Sequence, residues 1–258
     1  MALTKLSRSV EGYVVLVTGA ASGMGEATAK LFADAGAKVA AVDINRDGLK
    51  RVVKEIEAAG CPVRGWSLDL SNGEAIKTVI DEAAAHFSGL DMLVNNAGIS
   101  IFSSIDGADY TQAWDKSLDI LLTAHTRTIR AALPYLRKSK NPRIVNIAST
   151  EGLGATKFAS AYTAAKHGVI GLTRALAVEL GEEGITVNCV CPGPIRTAMT
   201  EEIPEEQKLT YARRRVALKR YADPEEVAHG TLNFCLPAAS FMTGTALPID
   251  GGLTIKNA

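Results

Sequence analysis

Cysteine is scarce in this sequence and never falls in a metal-binding spacing. Four occur, at positions 61, 189, 191 and 235, with no CxxC pair and no neighbouring histidine. That excludes a zinc site and a disulfide scaffold. Cys189 and Cys191 would share one face of a strand, so buried thiols in a reducing cytoplasm are expected, and no metal. The histidines (86, 125, 167, 229) are scattered and suggest no ligand set. Long apolar runs are lacking too. No stretch approaches the roughly 20 residues of a membrane span. The opening MALTKLSRSVEG has no apolar core of a secretory signal. We expect a cytoplasmic protein without a membrane partner. Neither sign of charge is in excess, because 28 Lys and Arg offset 28 Asp and Glu. The triplet Arg213-Arg214-Arg215 is too short to make nucleic acid the main partner.

What is present is apolar, at 47% of 258 residues, which suits a single α/β domain spanning 1–258. Short β-rich runs alternate with longer helical patterns. Strands are expected at 13–19, 38–43, 63–69, 91–96, 143–149, 185–193 and 246–250. Helices are expected at 23–36, 47–60, 74–87, about 110–137, 160–181 and 224–236. Continuously apolar strands alternating with helices indicate a doubly wound parallel sheet covered on both faces. Only 194–223 lacks an assignment, and a stretch that long inside a compact domain reads as a mobile lid.

The first strand runs into TGAASGMG (18–25) and then directly into a helix. Gly19, Gly23 and Gly25, with Ser22 and Met24 between them, let the backbone approach a pyrophosphate at a helix N-terminus. Following the first strand and opening the first helix, the turn has the setting of a dinucleotide site. Asp43 ends the second strand where a carboxylate hydrogen-bonds ribose hydroxyls, with Ile44 beside it. Its charge repels a 2′-phosphate and favours NAD over NADP, although Arg46 nearby works against it. The plain alternative for Asp43 is a helix N-cap. Asp69 and Leu70 follow the third strand, where an adenine edge would be read.

Tyr162 and Lys166, in SAYTAAKHG, stand four apart on one helical face. An ammonium beside a phenol favours the phenolate and lowers its pKa from about 10. Such a pair also arises on helix surfaces by chance, so the motif alone is weak.

Taken in order, TGAASGMG, Asp43, NNAG (95–98), Ser149, YTAAK (162–166) and PGPIRT (192–197) resemble the short-chain dehydrogenase/reductase family, from about residue 12 to 252. The resemblance implies a Rossmann-like sheet of seven strands in the order 3-2-1-4-5-6-7. It implies that Tyr162 exchanges a proton with the reacting oxygen and that Ser149 hydrogen-bonds that oxygen. Lys166 would hold the nicotinamide ribose and depress the tyrosine pKa. Asn96, Ala97 and Gly98 would lie near the adenine ribose, where a tight turn also needs small residues. Pro192, Gly193, Ile195 and Thr197 would flank the nicotinamide amide. The helices at 110–137 and 160–181 would pair across a two-fold axis, giving a homotetramer or a homodimer.

One position departs from the pattern. The family places asparagine in the helix near 121, where it distorts the helix and frees a carbonyl for a water. Here WDKSLDILL puts Leu121 there. Either the carbonyl alone suffices or the relay is impaired. Because Ser149, Tyr162 and Lys166 are all present, activity is expected. His125, one turn on, is a candidate contributor.

The substrate would meet Ile99, Ile101, Phe102, Glu151, Phe158 and Met199. This mainly apolar set suits a secondary alcohol or ketone. Glu151 would anchor a hydroxyl or face water. A 3-oxoacyl-carrier-protein reductase is the rival enzyme, but Asp43 favours NAD and Glu182-Glu183 put negative charge where an acidic carrier would dock. A sensor or scaffold that binds NAD without turnover is the reading of another class.

Overall fold

A computed structural model describes residues 5–257. Seven strands form one parallel sheet in the order β3-β2-β1-β4-β5-β6-β7. They are β1 (Val14–Thr18), β2 (Lys38–Asp43), β3 (Val63–Ser67), β4 (Met92–Asn95), β5 (Arg143–Ile147), β6 (Thr186–Pro192) and β7 (Ala246–Ile249). β1, β4, β5 and β6 are buried along their whole length, as expected of apolar strands with helices on both faces. β3, at the sheet edge, buries only Trp66.

The helices are α1 (Gly23–Asp34), α2 (Arg46–Ala58), α3 (Gly73–Phe87), α4 (Tyr110–Leu118), α5 (Ala124–Leu136), α6 (Ser160–Glu179), α7 (Ala198–Glu201), α8 (Glu205–Arg215) and α9 (Pro224–Cys235). Their starts follow from the sequence. Asn45 and Asn72 accept from Gly48 N and Ala75 N, so each occupies an otherwise orphan donor of α2 or α3. Asp223 and Glu226 form a capping box around Pro224 at the start of α9.

Two apolar layers sandwich the sheet. One joins Val15, Val17, Val39 and Ala41 to Ala29 and Phe32 of α1, Val52 of α2 and Val227 of α9. The other joins Leu16, Leu93, Ile144 and Val187 to Ile76 and Ile80 of α3, Ile129 and Leu136 of α5 and Ala177 of α6. Alternate residues of each strand go to opposite layers, as the strand period of two dictates. The doubly wound architecture and strand order agree with expectation.

Two expectations need correction. The helix expected at 110–137 is interrupted. Asp119–Thr123 form a π turn between α4 and α5, in which Ala124 N donates to Asp119 O. One inserted residue turns the downstream apolar stripe by about 100°, a slip too small to stand out between flanking helices this short. The unassigned 194–223 also carries regular structure, with α7 and α8 inside it and a parallel bridge from Ile195 to Ala222 at its base. The low apolar content of α8 hid it. Among the described residues, no helix is long and apolar enough to cross a membrane, and no cluster has the makings of a metal site.

Candidate active site

In a parallel sheet every strand delivers its chain to the same edge, and there the candidate residues converge. At the end of β1, Gly19 and Gly23 take left-handed φ values of 69° and 55°. Gly25 is glycine for a different reason: a Cβ there would lie 2.0 Å from Gly19 O and 2.4 Å from Asn96 Nδ2. Thr18 Oγ1 accepts from Asn96 N (3.0 Å) and Ala97 N (3.1 Å), and Asn96 Nδ2 donates to Thr18 O at 2.9 Å. These bonds join the glycine turn to the turn after β4. Ser22 caps α1 without a side-chain bond, so its hydroxyl is exposed beside the helix N-terminus.

Asp43 is not the N-cap of α2; Asn45 holds that position. Instead Asp43 Oδ2 accepts from Ala21 N at 2.9 Å and Oδ1 from Asn45 N at 2.8 Å. The carboxylate is thereby fixed at the mouth of the glycine turn. Arg46 is turned aside, its Nε donating to Ser67 Oγ at 3.2 Å. Asp69 Oδ1 accepts from Ser71 N at 2.9 Å, and this bond holds its pKa below the ordinary carboxylate value.

A cavity of about 590 Å³ gathers Gly19, Ser22, Gly23, Met24, Asp43, Ile44, Asp69, Leu70, Asn96, Ala97, Gly98, Ile99, Tyr162, Lys166, Thr197 and Met199. Its walls also include Lys116, Asp119 and Ile120 of α4 and the π turn, which sequence reasoning missed. Thr18 was likewise missed, although a threonine directly before the first glycine was a legible sign. Several expected residues lie off these walls. Gly25 is buried beneath the turn, and the Ile195 side chain is in the core. Gly193 sits against β7, where a Cβ would come within 2.7 Å of Asp250 Cα. Pro192 is buried at the end of β6. A larger cavity of about 810 Å³ between α1 and the start of the 194–223 segment is lined by Glu26, Lys30, Arg196 and Glu201 but by none of Ser149, Tyr162 and Lys166. Size alone does not mark the site.

Ser149 lies two residues past β5 and is buried, with its Oγ accepting from Glu151 N at 3.1 Å. Burial pushes the Tyr162 phenol above its ordinary pKa, the Ser149 hydroxyl bonded to it pulls the value down, and the Glu151 charge pushes it up. The balance is a raised value. Lys166, 3% exposed, donates from Nζ to Ile147 O at 2.7 Å and lies 5.7 Å from the Tyr162 ring centre. Burial pushes the lysine down to about 8. The expected lowering of the tyrosine by its cationic neighbour therefore does not operate in the protein alone. Desolvation is the dominant influence on both groups.

Leu121 lies inside the π turn, fully buried, with its Cδ2 packed under Gly98. The helix widens here without asparagine. Glu151 Oε1 accepts from Thr156 Oγ1 (2.8 Å) and Oε2 from Thr163 Oγ1 (3.2 Å), so it fastens the loop after β5 to α6. Phe158, at φ 67°, accepts through its carbonyl from Ser103 N, which joins that loop to the one carrying Ile101 and Phe102. Phe102, Phe158 and Met199 are exposed large apolar side chains.

A glycine turn at a helix N-terminus, a fixed carboxylate at the second strand and a serine–tyrosine–lysine group define a nicotinamide-dependent oxidoreductase. The model of the family described as enoyl-(acyl carrier protein) reductase matches residues 19–254. The chain is 39% identical to 3-oxoacyl-[acyl-carrier-protein] reductase FabG of Thermotoga maritima over 95% of its own length and 99% of the relative's. It is 35% identical to meso-2,3-butanediol dehydrogenase of Serratia marcescens, with 95% of each chain covered. A crystal structure of a dehydrogenase/reductase from Sinorhizobium meliloti 1021 superposes with a TM-score of 0.90 at 35% identity, covering 98% of each chain. The chain belongs to the short-chain dehydrogenase/reductase family and is an NAD(P)-dependent dehydrogenase or reductase.

Proposed function

We propose that this enzyme interconverts a small, uncharged secondary alcohol and its ketone with NAD. The observation that carries the reading is the grouping of Ser149, Tyr162 and Lys166 at the end of β5 and the start of α6, beside the cavity that holds the glycine turn. Gly19, Ser22, Gly23 and Met24 would hold the pyrophosphate, and Asp43 the adenine ribose hydroxyls. Bound NAD supplies the hydride acceptor. The chain's own residues do the rest. Tyr162 takes the proton of the substrate hydroxyl, or returns one to the ketone oxygen. Ser149 donates to that oxygen as negative charge grows on it, which is where a fixed donor lowers the barrier. Lys166 holds a positive charge behind the tyrosine and stabilises its ionised form during transfer.

NAD over NADP is supported by the Asp43 carboxylate, locked by two backbone donors, and by the diversion of Arg46 towards Ser67. An uncharged substrate is supported by Glu151, whose charge reaches both Tyr162 and Tyr211 of the lid. A substrate carboxylate would be repelled there, whereas hydroxyls would be accepted. Phe102, Phe158 and Met199 supply apolar contact, and α7 and α8 form the mobile lid. Assembly as a homotetramer, or failing that a homodimer, through α4, α5 and α6, and residence in a reducing cytoplasm, complete the reading. Light scattering tests the first.

A 3-oxoacyl-carrier-protein reductase is the second reading, favoured by what the Thermotoga relative's name says of that protein. Against it, Glu183 forms an ion pair with Arg137 at 2.6 Å, which occupies a cation an acidic carrier would use. Absorbance of reduced nicotinamide, followed with NAD or NADP and a panel of diols, polyols, hydroxy acids and acyl thioesters, separates the readings. Tyr162→Phe should retain NAD binding and lose roughly two to four orders of magnitude in turnover. Retained turnover in that variant sinks the proposal, and preferred use of NADP with an acyl thioester favours the second reading.

A further inference from the structure

Asp119 opens the π turn, and Arg127 stands eight positions later in α5. In an unbroken α-helix, residues eight apart point about 80° away from each other. The π turn absorbs one residue, so these eight positions advance only as far as seven ordinarily do, about 20° short of two full turns. The two side chains therefore share a face, and Arg127 Nη1 donates to Asp119 Oδ1 at 2.7 Å. The widened turn is what brings this ion pair together.

The same nitrogen also donates to Ser71 O at 3.3 Å. Ser71 belongs to the turn between β3 and α3, where Asp69 Oδ1 accepts from Ser71 N and Asp69 O accepts from Asn72 N at 3.1 Å. The arginine stem lies against the first residue of α3, because a Cβ on Gly73 would stand 3.6 Å from Arg127 Cδ and Nε. Both acceptors belong to wall residues of the nucleotide cavity: Asp119 with Ile120 from the π turn, and Ser71 with Asp69 and Leu70 from the turn after β3. Arg127 is not itself on the wall. With side chains 33% and 34% exposed, the pair is screened by solvent and contributes little to global stability. Its consequence is geometric: one guanidinium joins two stretches of cavity wall far apart in the chain.

We propose that Arg127 is a positioning residue for the adenine half of the cofactor, tying the π turn to the turn after β3 and so fixing the slot between them. It also offsets the Asp119 carboxylate, which would otherwise present a bare charge to an anionic dinucleotide. The inference rests on the cofactor reading above, with adenine beside Asp69 and Leu70.

Arg127→Met keeps the stem against Gly73 and removes the charge. Calorimetric titration should show the dissociation constants for NAD and for ADP-ribose rising together, roughly three- to tenfold, between the worth of an exposed ion pair and that of a charge-assisted hydrogen bond. KM for NAD should rise by a similar factor while kcat at saturating NAD stays within about twofold, because the nicotinamide end is untouched. The melting temperature without ligand should move by less than about 4 °C. Asp119→Asn breaks the same pair from its other end, and the double variant should bind no more weakly than the weaker single one. Unchanged affinity in Arg127→Met, affinity lost only together with the fold, or losses that add in the double variant each overturn the brace alone. A wild-type protein that binds neither NAD nor ADP-ribose sinks the cofactor reading, and the brace with it.

Discussion

Replacing Lys166 with methionine should make the protein more stable at pH 7 while destroying its activity. The ammonium is 3% exposed, has Ile147 O as its protein acceptor and is pushed from 10.5 to about 8 by burial, with no carboxylate to compensate. The gap corresponds to about 3 kcal/mol of unfavourable charge burial. Methionine fills much of the same space without charge but leaves the Ile147 carbonyl short of a donor, a loss of about 1 kcal/mol. The net gain is about 2 kcal/mol, or roughly 4–8 °C in melting temperature for a domain of this size. Below pH 8 folded and unfolded chains both carry the proton, so the wild type bears the full cost. Between pH 8 and 10.5 the folded chain sheds it first, and the wild type gains stability as pH rises. The advantage of the variant should therefore be complete at pH 7 and fade over that window. Denaturant titrations at pH 7, 8, 9 and 10 measure it. A Lys166→Met protein less stable than wild type at pH 7 refutes the reasoning.

Gly25→Ala should be less stable by roughly 1–3 kcal/mol, the usual cost of overpacking, and bind NAD more weakly, because its Cβ meets Gly19 O and Asn96 Nδ2. An unchanged melting curve would contradict the packing. Asp43→Ser should shift the NADP-to-NAD ratio of kcat/KM upward by roughly tenfold or more, as charge repulsion at the ribose disappears; steady-state kinetics with both cofactors test it. Glu151→Gln should raise kcat/KM for hydroxy acids roughly three- to tenfold relative to diols, about 1 kcal/mol for one nearby charge. Equal effects on both substrate types would remove Glu151 from substrate selection.

The sheet was legible because its signal is local and redundant. Strands such as Val14–Thr18 and Thr186–Pro192 are mostly apolar and buried along their length, and a glycine follows each. The glycine turn and Asp43 were legible because few residue types satisfy their geometry. Three things were not. The π turn at Asp119–Thr123 depends on how it and α4 pack on α6, and no single residue announces it. Helix α8 has a mostly charged surface, so its apolar stripe is too thin to read. The tyrosine pKa was misjudged because spacing reveals a neighbour but not the dehydration that neighbour shares. The hold of Glu151 on Thr156 and Thr163 depends on how the loop after β5 folds against α6, which its residue type does not announce.

The bridge from Ile195 to Ala222 ties the two ends of the 194–223 segment together beside the sheet edge. Everything between them, including α7 and α8, is a flap on a closed neck. Residues can be exchanged, added or removed within that flap without altering the distance between its roots. Thr197 and Met199 at its near end still wall the nucleotide cavity, so new substrate ranges are best grafted beyond them, in α8 and the turns around it.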